Sequence, residues 1–287
     1  MNKFKGFLFG MTASSTFGLL PLFTLPIMSE GLTTNSILCY RMLFASVLVA
    51  VLMQVRKIAF RTNLRELLWF AFLGFFYYGS ASLLFQAYGT MSSGMATTLH
   101  FLYPVGVTLI MALVFKQRPS PFTILAIILG LSGVALLSLK EGGGSSSASL
   151  VGILLVLLSG LSYAAYLVTM NNVRRVRESN NLKLTLYVLI FSALFFLLDT
   201  SLSGGLQMIP SGRALTNLLL LAFLPTLVSN LALVRAVKSI GSTLTSVLGA
   251  MEPLTAIVIG VVVFGEEVTR PMALGILLIL LSVTIIV

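Results

Sequence analysis

The chain has 287 residues, of which 57% are hydrophobic and only 9% are charged. Soluble domains average about 25% charged residues, so this composition excludes a water-soluble globular protein and predicts a protein whose solvent is lipid. The single cysteine, Cys39, excludes a disulfide framework and a cysteine-based metal site, and the net charge of +10 is explained below by membrane topology rather than by nucleic-acid binding.

Ten apolar stretches follow one another along the chain, each about as long as a membrane-spanning helix. The first contains Pro21 and Pro26 and lacks a cleavage site of small residues, so it is predicted to be a retained span and not a signal peptide. The stretches are continuous and rich in leucine, which excludes the short alternating strands of a membrane β-barrel. The predicted spans are 6–28, 35–54, 66–88, 93–115, 121–139, 150–171, 182–200, 214–235, 242–264 and 271–287.

The basic residues between these spans predict the orientation in the membrane. With the N-terminus inside, 14 of the 18 lysines and arginines fall in cytoplasmic segments, as expected because lysine and arginine stay on the cytoplasmic side of short loops. We therefore expect a multi-pass protein of the plasma membrane, in bacteria the inner membrane, with both termini in the cytoplasm.

The two halves of the chain resemble each other. A shift of 149 residues aligns 87–115 with 236–264 without gaps and places Pro104 on Pro253. The predicted organisation is a five-helix repeat at 1–140, an extracytoplasmic Gly/Ser linker at 141–149, and a second five-helix repeat at 150–287. Because five is odd, the second repeat would be inverted, as in many secondary transporters. A duplication without mechanistic use is the alternative.

Several short motifs of this sequence resemble the ten-helix, EamA-type branch of the drug/metabolite transporter superfamily. The resemblance implies proton-coupled or passive exchange of metabolites, amino acids or drug-like compounds, often as efflux. The first repeat departs from the pattern because Lys116-Gln117-Arg118 stands where the second keeps glutamates. The motifs are Phe17-Gly18, Arg41-Met-Leu-Phe-Ala45, Tyr163-Ala164, Met251-Glu252-Pro253 and Val263-Phe-Gly-Glu-Glu-Val-Thr269.

Three ionisable residues stand out well inside the predicted spans, where such groups normally face a protein interior or water. Arg41 is interpreted either as a cation that binds an anionic substrate group or as a side chain that reaches the outer headgroups. Glu252 is interpreted either as a proton-coupling carboxylate or as a structural acid beside Pro253. His100 is a second proton-coupling candidate, with a satisfied interior histidine as the alternative.

Aromatic and polar side chains near the middle of the spans are candidates for lining a substrate cavity, because tyrosine combines an apolar ring with a hydroxyl. Lipid-facing packing is the alternative for each. Pro104 and Pro253 are equivalent in the two repeats and are hinge candidates. The substrate-binding candidates are Phe17, Arg41, Tyr77, Tyr78, His100, Tyr103, Tyr163, Tyr166, Tyr187, Asn230 and Glu252.

The leading functional hypothesis is a secondary transporter of small organic solutes that works as an exporter by alternating access. A phosphate-binding loop of the P-loop type is missing from the sequence, which argues against an ATP-driven pump. A passive channel or a flippase is the first alternative, and a membrane enzyme the second. We expect no cofactor and no metal; the expected partners are lipid, a small-molecule substrate and protons, and the chain is expected to be a monomer or a homodimer.

Overall fold

The computed structural model of the chain describes residues 3–88, 90, 96, 99–138, 150–264 and 270–286. These residues form α-helices joined by short turns, and no β-strand occurs among them. In lipid a helix is favoured because it satisfies its own backbone hydrogen bonds. The prediction of an all-α membrane fold is confirmed.

The first repeat contains five spans, numbered here from the N-terminus. Span 1 is divided into two helices, Lys3–Phe17 and Leu20–Ser29. Spans 2 to 5 are the helices Thr34–Val55, Leu64–Tyr88, Tyr103–Leu113 and Pro121–Ser138.

The second repeat contains spans 6 to 10. A short helix on the surface, Arg174–Glu178, separates spans 6 and 7. Span 8 includes a π-helical turn, and span 9 is divided like span 1. The helical segments of these spans are Leu150–Asn172, Asn181–Leu202, Gly212–Ala222, Phe223–Val228, Ser229–Leu248, Met251–Phe264 and Arg270–Ile286.

Spans 8 and 9 meet inside the segment Ser229–Leu248, which is two helices joined at Gly241. The backbone of Gly241 has φ 86° and ψ 167°, a conformation that glycine adopts at little cost and other residues avoid. Span 8 therefore ends before Gly241, and span 9 begins after it. This joint agrees with the predicted boundary between the two spans.

Within the described residues, six helices are long and apolar enough to cross a membrane, and four shorter apolar helices accompany them. One of the six, Gly212–Leu248, contains span 8 and the beginning of span 9. Many leucine and valine side chains on these helices face outward, such as Leu113 and Val262, which is the surface that lipid requires. The predicted linker 141–149 lies outside the described residues.

Three interruptions of the helices have local causes. In span 1 the helix restarts at Leu20, with Pro21 in its first turn, where its missing N–H costs nothing. In span 8 Pro225 lies inside the π-helical turn, which accommodates a backbone that has lost one donor. In span 9 the helix restarts at Met251 after a turn at 249–250.

The packing of the spans follows a two-fold pattern. Spans 2 and 7 pack against each other, as do spans 5 and 10. In each pair the two spans are equivalent members of the two repeats. The contact between spans 1 and 8 likewise corresponds to the contact between spans 6 and 3. The contact between spans 1 and 9 corresponds to the contact between spans 6 and 4. The helices therefore form two inverted five-helix repeats that interlock around a common centre.

One close contact shows this pattern at the level of residues. A Cβ added to Gly18 of span 1 would lie 2.7 Å from Cβ of Thr255 in span 9. In the equivalent place, a Cβ added to Gly106 of span 4 would lie 3.3 Å from Cβ of Ala164 in span 6. In each pair a glycine lets two helix backbones approach closely, as small residues do in membrane interfaces.

One end of the bundle carries many of the lysines and arginines. At this end, Lys183 donates to the carbonyl of Arg61 at 2.8 Å, and Lys238 donates to the carbonyl of Ser179 at 2.7 Å. The loops 56–63, 114–120 and 173–180 lie at this end, and it is called the basic face below. At the opposite face, the Tyr40 hydroxyl donates to the carbonyl of Gln207 at 2.7 Å.

Candidate functional site

A small cavity lies at the centre of the bundle, between the two repeats. Spans 1, 3, 4, 6, 8 and 9 all contribute to its wall. Its volume is about 20 Å³, which is room for about one water molecule. The residues that line it are Ala13, Ser14, Phe17, Tyr77, Tyr103, Tyr163, Leu167, Ser229, Asn230, Leu233, Thr245 and Glu252.

Glu252 is the only acidic residue in the described wall of this cavity. It lies in the first turn of the helix that restarts after the turn at 249–250, and its backbone N–H donates to the carbonyl of Gly249 at 3.0 Å. Among the described residues no group donates a hydrogen bond to its carboxylate. The carboxylate is therefore available to a proton or to a ligand.

The backbone of Glu252 is held by span 1. A Cβ added to Gly18 would lie 2.4 Å from the Glu252 carbonyl oxygen, a distance that only glycine permits without movement. The interruption of span 1 thus packs directly on the interruption of span 9. The carboxylate of Glu252 lies where both helices are already broken.

Arg41 of span 2 is buried, with 3% of its side chain surface exposed. Its Nε donates to Oγ1 of Thr226 at 2.6 Å, and its Cζ lies 5.2 Å from the centre of the Phe17 ring. Its Nη2 has no hydrogen-bond partner among the described residues. A buried donor without a partner costs free energy, so this nitrogen is a candidate for binding an anionic group.

Arg41 and Glu252 interact electrostatically but do not form a direct ion pair among the described residues. Arg41 does not line the cavity, but it contacts the ring of Phe17, which does. The arrangement therefore places one cation within electrostatic range of one anion, with an aromatic ring against the cation.

Three tyrosines supply most of the aromatic wall. The rings of Tyr103 and Tyr163 lie 4.7 Å apart, edge to face, and the amide of Asn230 donates to the Tyr77 hydroxyl at 3.3 Å. A Cβ added to Gly249 would overlap the Tyr103 hydroxyl, so that glycine makes room for the ring. Aromatic faces with hydroxyls at their edges suit a solute with both apolar and polar parts.

His100 does not line the cavity, although its ring lies 5.8 Å from that of Tyr103. Its Nδ1 is 3.0 Å from the Ser159 hydroxyl, which itself donates to the carbonyl of Ser80 at 2.5 Å. A hydroxyl has one hydrogen to donate, so Nδ1 of His100 is the donor to Ser159. The histidine is thus engaged in a hydrogen-bond chain that joins spans 3, 4 and 6.

Three other candidates from the sequence lie away from the cavity. Tyr166 is buried behind Tyr77, with their ring centres 5.3 Å apart. Tyr78 packs on Phe196 at 4.8 Å, between spans 3 and 7. Tyr187 lies near the basic face, where its hydroxyl donates to the carbonyl of Phe60 at 2.7 Å.

Several lining residues were not singled out from the sequence as site residues, among them Ser14 and Ser229. The Ser229 hydroxyl donates to the carbonyl of Ala13 at 2.8 Å and so joins spans 1 and 8. Thr226, the partner of Arg41, lies in the π-helical turn and was missed as well. Small hydroxyl residues are common in apolar helices, so the sequence offers no distinguishing signal for them.

The hinge candidates Pro104 and Pro253 occupy similar places in the two repeats. Each lies in the first turn of a helical segment, which begins at Tyr103 in span 4 and at Met251 in span 9. In both spans a non-helical turn comes directly before that segment. Each proline therefore lies just after an interruption of its span.

Comparison with known proteins gives three findings. A family model described as the EamA-like transporter family matches residues 4–139 and 150–287. The "Uncharacterized transporter YdfC" of Bacillus subtilis (strain 168) is 26% identical over 249 residues, which are 86% of this chain and 79% of that protein. A solved crystal structure matches 98% of this chain and 95% of its own chain, with a TM-score of 0.83 and 19% sequence identity. This is a similarity of fold alone.

Proposed function

We propose that the substrate of this protein binds in the central cavity and is carried across the membrane by alternating access. The chain belongs to the EamA-like transporter family and so carries small solutes across a membrane. The two inverted repeats would exchange conformations, so that the cavity opens first to one face and then to the other. The driving force would be a solute or proton gradient.

The size of the cavity is the observation that supports a carrier over a channel. With a volume of about 20 Å³ it cannot hold an organic solute, and side chains from both repeats line it. Transport therefore requires spans 1, 4, 6 and 9 to separate around it. The turns at 101–102 and 249–250, next to Pro104 and Pro253, are the proposed hinges.

The chemistry of the wall supports a small organic solute with an apolar or aromatic part and at least one charged group. The tyrosine rings would contact the apolar part, and Asn230 and Ser229 would bind its polar atoms. When the Phe17 ring moves, Arg41 would bind an anionic group through Nη2. Amino acids, other metabolites and drug-like compounds all meet this description.

Glu252 is the proposed proton-coupling group. Its carboxylate faces the cavity without a donor among the described residues, so a proton and a cationic substrate group could occupy it in turn. His100 is the weaker candidate, because its Nδ1 already donates to Ser159. Exchange of a proton for substrate at one carboxylate would couple the two fluxes.

Direction and orientation are further parts of the proposal. The excess of basic residues at the basic face supports a cytoplasmic location for that face and for both termini, in the plasma or bacterial inner membrane. Export is the direction that the resemblance to the drug/metabolite transporter superfamily implies. A single chain contains both repeats and suffices for the mechanism, as a monomer or within a homodimer.

Counterflow in proteoliposomes tests the carrier mechanism. A thermal-shift screen of the purified protein against amino acids, nucleosides and aromatic cations first identifies a compound that binds, which is then used as the substrate. Vesicles preloaded with that substrate should accumulate labelled substrate transiently above equilibrium, because a carrier returns faster when loaded. Empty vesicles and protein-free vesicles are the controls. Equal uptake with and without preloading would support a channel and contradict alternating access.

A further inference from the structure

A second, larger cavity lies between spans 4, 5, 6 and 9 at the basic face. Its volume is about 230 Å³, more than ten times that of the central cavity. Gln117, Arg118 and Ser120 are exposed and form part of its wall, so the cavity opens toward the aqueous side of that face. It shares no lining residue with the central cavity.

The wall of this cavity is positively polarised. Arg118 lines it and has no hydrogen bond or ion pair with any described residue. The 18-residue helix of span 5 begins at Pro121, and the Ser120 hydroxyl caps it by accepting from the Thr123 N–H at 3.1 Å. The N-terminus of a helix carries a partial positive charge, and the described lining contains no acidic residue.

An unused hydrogen-bond donor lies in the wall of the same cavity. Ser242 is fully buried, and its hydroxyl has no partner among the described residues. Ser242 follows the joint at Gly241, where the amide nitrogen of Asn171 would lie 3.9 Å from an added Cβ. A buried hydroxyl without a partner is unfavourable unless a ligand or water supplies one.

The basic character of this loop is not required by the fold. In the aligned repeat sequences, Glu266 and Glu267 of the second repeat stand opposite Gln117 and Arg118 of the first. The two repeats thus carry opposite charge at these aligned sequence positions. The connection between the two helices therefore does not require a basic residue at position 118.

We propose that this cavity is a binding site for one phosphate-type oxyanion, held by Arg118 at the mouth and by Ser242 and Asn171 in the interior. Arginine presents two parallel donors that match the oxygens of such an anion. The anion is the phosphate of a lipid headgroup or a free phosphate, since the two have the same chemistry. The site shares no lining residue with the central cavity, and its test measures binding, so the test does not depend on transport.

The test compares Arg118→Gln with Lys116→Gln, which removes the same charge from an exposed residue two positions away that does not line the cavity. Inorganic phosphate is titrated against chloride at constant ionic strength while thermal unfolding of the detergent-purified protein is followed. Phosphate should raise the midpoint of the wild type and of Lys116→Gln equally. Arg118→Gln should bind phosphate about tenfold more weakly, and Ser242→Ala should be weakened as well.

The melting midpoint in chloride alone shows whether each variant is folded. If phosphate stabilises Arg118→Gln as much as Lys116→Gln, or does not stabilise the wild type, the site does not exist. Native mass spectrometry with phosphatidylglycerol and phosphatidylcholine then separates the two sources. If phosphatidylglycerol is retained only when Arg118 is present and is displaced by phosphate, the bound group is a lipid headgroup. If phosphate binds but phosphatidylglycerol is not retained, the bound group is a free anion.

Discussion

Gly18 is the position where the packing of spans 1 and 9 makes the sharpest prediction. A methyl group added there would lie 2.4 Å from the Glu252 carbonyl oxygen and 2.7 Å from Cβ of Thr255. Ordinary contacts begin at 3.4 Å, so the Gly18→Ala variant must move the two spans apart by about 1 Å. Overpacking of this kind costs about 1–3 kcal/mol in free energy of unfolding.

Gly79 provides the matched control, because it also lies inside a span. A methyl group there would meet only the Ser162 hydroxyl at 3.8 Å, an ordinary contact. Alanine is a better helix former than glycine by about 0.5–1 kcal/mol, so Gly79→Ala should be neutral or slightly stabilising. We expect a difference between the variants of about 1–4 kcal/mol.

Denaturant titration of both variants in detergent micelles measures this difference, and uptake into proteoliposomes measures transport. Gly18→Ala should be the less stable and the slower transporter, because the displaced span 9 carries Glu252. If Gly18→Ala is as stable and as active as Gly79→Ala, spans 1 and 9 are not in backbone contact at this point, and the proposed centre of the site is wrong.

Three further predictions test the site and the topology. Glu252→Gln should abolish uptake driven by a pH gradient yet retain substrate exchange, and unchanged gradient-driven uptake would eliminate Glu252 as the coupling group. Arg41→Ala should reduce transport of acidic substrates at least about tenfold more than that of neutral ones, whereas an equal loss would indicate a folding role only. Cysteines placed at Asn2 and Ser145 should react with an impermeant label from opposite faces of the membrane; labelling from the same face would contradict the inverted topology.

The fold could be predicted from the sequence because lipid imposes strong rules on it. Twenty-residue apolar stretches must be helices, and the alignment of Pro104 with Pro253 revealed the repeat. The interruptions inside the spans were less accessible. Pro21 and Pro225 indicated that spans 1 and 8 are irregular, but not that one restarts at Leu20 while the other forms a π-helical turn.

The candidate site could be predicted only in part, because hydropathy does not say which way a side chain faces. Glu252, Asn230 and three tyrosines line the cavity, and their polarity had marked them. Tyr187 had the same signal, yet it lies within the first two turns of its span and therefore near the basic face. Gly241 and Ser242 carried no signal of their own, since the second cavity arises only when spans 4, 5, 6 and 9 meet.

Alternating exposure of the central cavity is the central claim, and Ser14 offers the most direct test of it. Ser14 lines the cavity, and cysteine differs from serine by one atom. The only natural cysteine, Cys39, is fully buried and can be replaced by serine as a background. In this background we predict that Ser14→Cys reacts with an impermeant thiol reagent from either face of the membrane, and that saturating substrate slows both reactions. Reaction from one face alone, under every gradient applied, would contradict the account.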